Sequence, residues 1–170
     1  MSRFQELENV VSPAVLDDAL TIGDLLTELG VPHALIGGLA VGMNGFPRAT
    51  KDVDYLVGSE AFEMTTPFLV YRDELKDKIK MGVVDLLAVP ERYPFLAEQL
   101  RTCQPGELHV ISPEALVFMK LVANRPQDRA DVSRLLQVGV SAHAVAVFVG
   151  EHAPELLSRF AEIVEQTPGA

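Results

Sequence analysis

No tryptophan and a single cysteine, Cys103, occur in this chain, and each scarcity removes a class of explanation. One cysteine excludes an internal disulfide and any thiolate metal cluster, so Cys103 is expected to be a partly buried structural thiol. Basic residues are also scarce: 14 Lys and Arg stand against 24 Asp and Glu, a net charge of −10. A polyanion is repelled overall by such a surface, which argues against nonspecific nucleic-acid binding and suits a cationic small acceptor or a basic protein partner. A local basic patch around Arg48 and Lys51 stays open. No apolar run approaches the roughly 20 residues that cross a bilayer. The N-terminus lacks the basic-then-apolar order of a signal peptide, so the expected location is the cytoplasm, with no membrane partner. The histidines, His33, His109, His143 and His152, lie scattered without a zinc-ligand spacing, and no Ser/His/Asp or Cys/His arrangement is present. There is no internal repeat, low-complexity tract or interdomain linker. With 48% hydrophobic and 22% charged residues, the 170-residue chain reads as one domain, 1–170, with a core of its own.

What is present concentrates between residues 34 and 57. Ala34 to Ile36 reads as a short buried strand, Gly37-Gly38 as a turn, and Leu39 to Met43 as the opening of a helix. Glycine permits positive φ and close approach of a ligand, and the first N–H groups of a helix lack internal partners, so this junction can bind an anion. Asp52 to Val57 alternates in the manner of a second strand, which places Asp52 and Asp54 on one face. Two carboxylates side by side repel unless a cation bridges them, and hard oxygen ligands suit Mg²⁺ or Mn²⁺. A third, Asp85, interrupts the apolar run Val83 to Val89, where a buried unpaired carboxylate would be expensive. Together the three aspartates have the parts of a site for two divalent ions around a transferring phosphoryl or nucleotidyl group.

The organisation around this run is a helix, an α/β core over about 12–112 and C-terminal helices over about 113–170. Ser12-Pro13 starts a helix whose apolar positions continue to Leu29, before Gly30 and Pro32 end it. Ser112-Pro113 repeats the start signal for a helix through Val122. Gln127 to Val138 reads as another, and 141–150 and 154–166 as two more. Glu107 to Ile111 suggests a further strand. Residues 59–80 are ambiguous, Pro67 interrupting any helix and Lys76, Lys78 and Lys80 reading as a solvated strand face.

These residues resemble the polymerase-beta-like nucleotidyltransferase superfamily, and within it the AbiEii-type toxins and related small bacterial nucleotidyltransferases. The likeness covers roughly residues 31–137. Gly37-Gly38 is similar to the family's glycine pair, Arg48-x-Thr50-x-Asp52-x-Asp54 to its arginine, threonine and double-aspartate motif, and Asp85 to its third metal ligand. Lys120 with Asp128 and Asp131 is similar to its helical motif. The resemblance implies an α+β nucleotidyltransferase fold, a small mixed sheet flanked by helices with a C-terminal helical segment. It implies an enzyme that moves an NMP from an NTP to an acceptor hydroxyl of RNA, protein or a small molecule. It further implies a toxin role with a possible antitoxin partner. In this reading Asp52, Asp54 and Asp85 hold Mg²⁺ or Mn²⁺, and Gly37, Gly38, Arg48, Thr50 and Lys120 hold the nucleotide. Lys51, Asp128 and Asp131 are further candidates.

Simpler readings stand beside these. Arg48 can anchor a loop by pairing with a carboxylate, Thr50 can be a turn residue, and Lys120 can snorkel from an apolar helix. Asp128 and Asp131 can form a surface ion-pair network with Arg125 and Arg129. Two rival functions also remain: an antibiotic-type small-molecule nucleotidyltransferase, and an inactive module that binds a nucleotide without turnover.

Overall fold

Serine hydroxyls start several of the helices. Ser12, Ser112 and Ser141 accept the backbone N–H groups of Val15, Ala115 and Ala144, which the first turn leaves without partners. Proline follows at the first helical position after Ser12 and Ser112, where its missing N–H costs nothing. The computed structural model describes residues 3–65, 68–79 and 83–169. In chain order these form α1 (Arg3–Leu7), α2 (Pro13–Glu28), β1 (His33–Ile36), α3 (Gly37–Met43) and β2 (Val53–Val57). A hairpin of β3 (Phe62–Thr65) and β4 (Phe68–Tyr71) follows, then α4 (Asp73–Ile79) and β5 (Val84–Ala88). The chain finishes with α5 (Pro113–Ala123), α6 (Pro126–Gln137), α7 (Ala142–His152) and α8 (Leu157–Gln166). Among the described residues, no helix is long and apolar enough to cross a membrane.

The main sheet has the order β1-β2-β5, with β1 antiparallel and β5 parallel to β2. Its two faces support two cores. Val53, Tyr55 and Val57 point to one side and pack with Leu16, Ala19, Ile22 and Leu26 of α2. The Tyr55 hydroxyl donates to the Ala19 carbonyl at 2.8 Å, satisfying the polar end of a fully buried ring. On the opposite face Ala34, Ile36 and Leu56 join Leu116, Phe118 and Leu121 of α5 and the apolar residues of α6 to α8. Strand alternation therefore assigns Asp54, one residue from Tyr55 and two from Leu56, to the face covered by the C-terminal helices.

Several sequence expectations change. The second strand starts at Val53, so Asp52 lies just outside it and is exposed. Asp85 sits in β5 as expected but is exposed, because β5 is an edge strand and that residue faces a cleft rather than the core. Gly37 and Gly38 are the first residues of α3 rather than a turn ahead of it. Residues 107–111 make no strand, only a bridge from Val110 to Leu35 flanked by Leu35 N–H to the His109 carbonyl and Ile111 N–H to the Leu35 carbonyl. The ambiguous stretch resolves into β3, β4 and α4. Lys76 and Lys78 thus lie on a helix rather than a strand, while Lys80 and Pro67 fall outside the described residues. Cys103 is buried, as a structural thiol should be.

Candidate active site

Parallel pairing sets Asp54 of β2 directly beside Asp85 of β5, so both carboxylates leave the same face of the sheet at adjacent strand positions. Both line a cleft of about 590 Å³ between the sheet and the α5–α6 pair. Leu86, Tyr93, Leu96, Leu116, Phe118 and Met119 make its apolar walls, and Asp54, Asp85, Lys120, Arg125 and Asp128 supply its charge. Gly37 lines it too, and glycine is required there twice over. Its φ is +66°, and a Cβ would lie 1.9 Å from Oδ2 of Asp54. At Gly38 a Cβ would fall 2.7 Å from the Thr50 hydroxyl and 3.2 Å from Nη1 of Arg48. The glycine pair is thus the surface against which Asp54, Thr50 and Arg48 pack.

A chain of ion pairs runs from the cleft wall to the loop before β2. Arg48 makes a bidentate fork onto Asp131, Nε to Oδ1 at 2.8 Å and Nη2 to Oδ2 at 2.9 Å, and its Nη1 donates to the Ala49 carbonyl at 3.1 Å. Lys120 reaches Asp131 Oδ2 at 2.7 Å and Asp128 Oδ1 at 3.1 Å. Asp128 also accepts from Arg125, Nε to Oδ2 at 2.7 Å and Nη2 to Oδ1 at 3.3 Å, and from the Arg125 backbone N–H at 3.2 Å. Gln127 adds a bond to Asp131 Oδ1 at 3.0 Å. The sequence-level choice for Lys120, snorkelling or phosphate contact, meets a third answer: it is buried and paired with two carboxylates. Asp128 and Asp131 are buried rather than on the surface, and Arg129 stands apart, bonded to Asn124 and facing Glu162.

The electrostatics of the two carboxylate groups run in opposite directions. Burial raises the pKa of Asp54, and the charges of Asp85 and then Asp52 raise it further, against the opposing pull of Lys120 and Arg125. Burial would raise Asp128 and Asp131 as well. For Asp128, hydrogen bonds from Arg125 and Lys120 outweigh it, and for Asp131 those from Arg48 and Lys120 do, so both stay below the ordinary carboxylate range. One side of the site is repulsive and only partly compensated; on the other the carboxylates are fully paired.

The structure therefore brings together Asp54, Asp85, Gly37, Lys120 and Asp128 around one cleft. Asp52 influences Asp54 through its charge but does not line the cleft, and Lys51 is exposed outside it. Thr50 donates to the Asp52 carbonyl at 3.4 Å, which ties the loop ahead of β2 together. Arg48 and Asp131 brace the cleft from behind. Among the described residues, no group of three or more His, Cys, Asp or Glu side chains is gathered to hold a metal ion. The donor set that remains, two adjacent carboxylates, fits Mg²⁺ in the form in which it arrives with a nucleotide, bound by one or two carboxylates and substrate phosphates. Sequence reasoning had placed Arg125 only in an ion-pair network. Its position as helix N-cap, before Pro126 and three residues ahead of Asp128, was the available signal.

No family model matches this chain, and no curated protein does. The similarity lies in three dimensions. The crystal structure of an antigenic nucleotidyltransferase-like protein from Paracoccidioides brasiliensis aligns with a TM-score of 0.59 at 17% identity. The alignment covers 94% of this chain and 91% of that one. It does not single out the AbiEii-type group. What it carries is architecture: the small mixed sheet flanked by helices is a nucleotidyltransferase fold.

Proposed function

We propose that this chain is a nucleotidyltransferase that takes an NTP and transfers its NMP moiety to an acceptor hydroxyl. The carrying observation is the adjacency of Asp54 and Asp85 in the lining of one cleft with Gly37. The apolar walls suit a nucleobase, and the charged end suits its phosphates. In the reaction the acceptor oxygen bonds to the α-phosphorus, the bond to the β-bridging oxygen breaks, and pyrophosphate leaves as the acceptor proton is lost. Asp54 and Asp85 would hold Mg²⁺ or Mn²⁺, which supplies charge neutralisation at the reacting phosphate and a more acidic hydroxyl. Asp52 would add negative potential nearby. Gly37 leaves room for the Asp54 carboxylate, and the braced ion-pair chain fixes α5 and α6 around the triphosphate, so catalysis is mainly positioning.

The acceptor, RNA, protein or a small molecule, follows from the resemblance alone, as do the toxin role and an antitoxin partner. The test is incubation with each labelled NTP and Mg²⁺ against total RNA, lysate protein and a panel of cationic small molecules. Label transfer with pyrophosphate release, lost in Asp54→Asn and Asp85→Asn, is the expected result. A second reading, nucleotide binding without turnover, draws on the absence of a gathered three-carboxylate group among the described residues. It predicts NTP binding with no pyrophosphate release against any acceptor.

A further inference from the structure

The cations around the cleft are not equivalent. Arg48 has three of its five guanidinium N–H donors engaged, two on Asp131 and one on the Ala49 carbonyl, is 22% exposed and does not line the cleft. Lys120 does line it, but is 7% exposed and tied to two buried carboxylates. Arg125 lines the same cleft with its side chain 75% exposed. Of the five N–H donors a guanidinium carries, Asp128 takes two.

We propose that Arg125 grips the β- or γ-phosphate of the bound nucleoside triphosphate, with Asp128 as its positioning residue. The role rests on the nucleotide reading above, and it puts Arg125 where the family resemblance implies Arg48. Three physical points support it. The fork is held before a ligand arrives: Asp128 is buried and anchored from behind by Lys120, which lowers the ordering entropy lost on binding. The remaining donors match phosphate geometry, for which arginine is better suited than lysine. Arg125 also lines the same cleft as the carboxylate pair Asp54 and Asp85. A purely structural Arg125 would serve only to cap α6.

The test is titration calorimetry on the full chain with Mg²⁺ and each of ATP, GTP, CTP and UTP, beside the matching monophosphates. For the NTP that wild type binds best, Arg125→Ala is expected to weaken binding at least about tenfold and to leave monophosphate affinity within about twofold, since a charge-assisted fork is lost. Arg125→Gln keeps a donor at the Nε position for Asp128 without the charge, and should lose triphosphate affinity similarly even if the alanine variant folds poorly. Asp128→Asn should weaken triphosphate binding in the Arg125 protein and add nothing once Arg125 is alanine. Unchanged triphosphate affinity in a folded Arg125→Ala or Arg125→Gln overturns the assignment while leaving the nucleotide reading intact. Equal losses for triphosphate and monophosphate overturn it too. Failure of wild type to bind any of the four NTPs sinks the nucleotide reading itself.

Discussion

Asp54 is held in a position that disfavours its own charge. Burial and the neighbouring Asp85 and Asp52 raise its pKa in the folded chain above the unfolded value of about 3.9. Between those two values the native state binds the proton more readily than the unfolded state, so this group's contribution to stability falls as pH rises through the window. At pH 7 the ionised carboxylate is a standing destabilisation. Asp54→Asn is therefore expected to raise the melting temperature of the metal-free protein by about 2–4 °C at pH 7, on the scale of about 1 kcal/mol for a chain of this size. The gain should vanish near pH 3, where both side chains are neutral in both states, and the same variant should lose nucleotide transfer. A melting curve showing Asp54→Asn less stable than wild type at pH 7 would contradict this account. Gly37→Ala should go the other way. Its Cβ would overlap the Asp54 carboxylate at a φ of +66°, so a loss of about 1–3 kcal/mol and a displaced Asp54 are expected, measurable by urea unfolding.

At the scale of elements, charge joins α5 and α6 to the loop before β2, beside the apolar contact that Phe46 of that loop makes with the same core. Asp128 and Asp131 lie one turn apart on α6, Lys120 comes from α5, and Arg48 comes from the loop. A left-handed Asn124 closes α5, and Arg125 and Pro126 start α6 directly, which fixes the angle between them. Removing one member of a buried ion pair leaves the others uncompensated. Asp131→Ala is accordingly expected to cost about 3–5 kcal/mol in urea unfolding, and a loss below 1 kcal/mol would show the chain of pairs to be dispensable. The pH dependence has the opposite sign from that of Asp54. Asp128 and Asp131 have folded pKa values below the unfolded one, so their stabilisation is complete above about pH 4 and is lost as pH falls toward the folded values. The alanine variant should show a shallower acid limb.

For the whole molecule, the cleft joins the sheet to the C-terminal helices, and a ligand bound there stabilises the fold by mass action. With two carboxylates rather than a closed cage, Mg²⁺ alone should add little to thermal stability, whereas Mg²⁺ with an NTP at about 100 times its Kd should add about 2.7 kcal/mol. Differential scanning fluorimetry distinguishes the two; equal shifts with and without nucleotide would indicate a preformed metal site instead. The chain carries a net −10, and the cleft itself sets Asp54, Asp85 and Asp128 against Lys120 and Arg125, so a triphosphate there would need Mg²⁺ as well as Arg125.

The sequence by itself determined the helices starting at Ser12 and Ser112, the three strands of the main sheet, and the placing of Asp54 on one sheet face. These depend on capping chemistry and on two-residue alternation, which act over a few residues. It also marked Gly37-Gly38, although such a pair taken alone is more often a plain strand-to-helix turn. Only the tertiary structure decided what each charge faces. The exposure of Asp85 depends on β5 being an edge strand, and the engagement of Arg48 depends on Asp131, 83 residues later in the chain. Lys120 lies buried because two aspartates of the next helix turn toward it, and Arg125 stays exposed because Asp128 holds its fork at the rim. Partnership between charges is a property of long-range packing. No local pattern encodes it, which is why candidate residues can be named from the sequence while their pairings, and the place of Arg125, cannot.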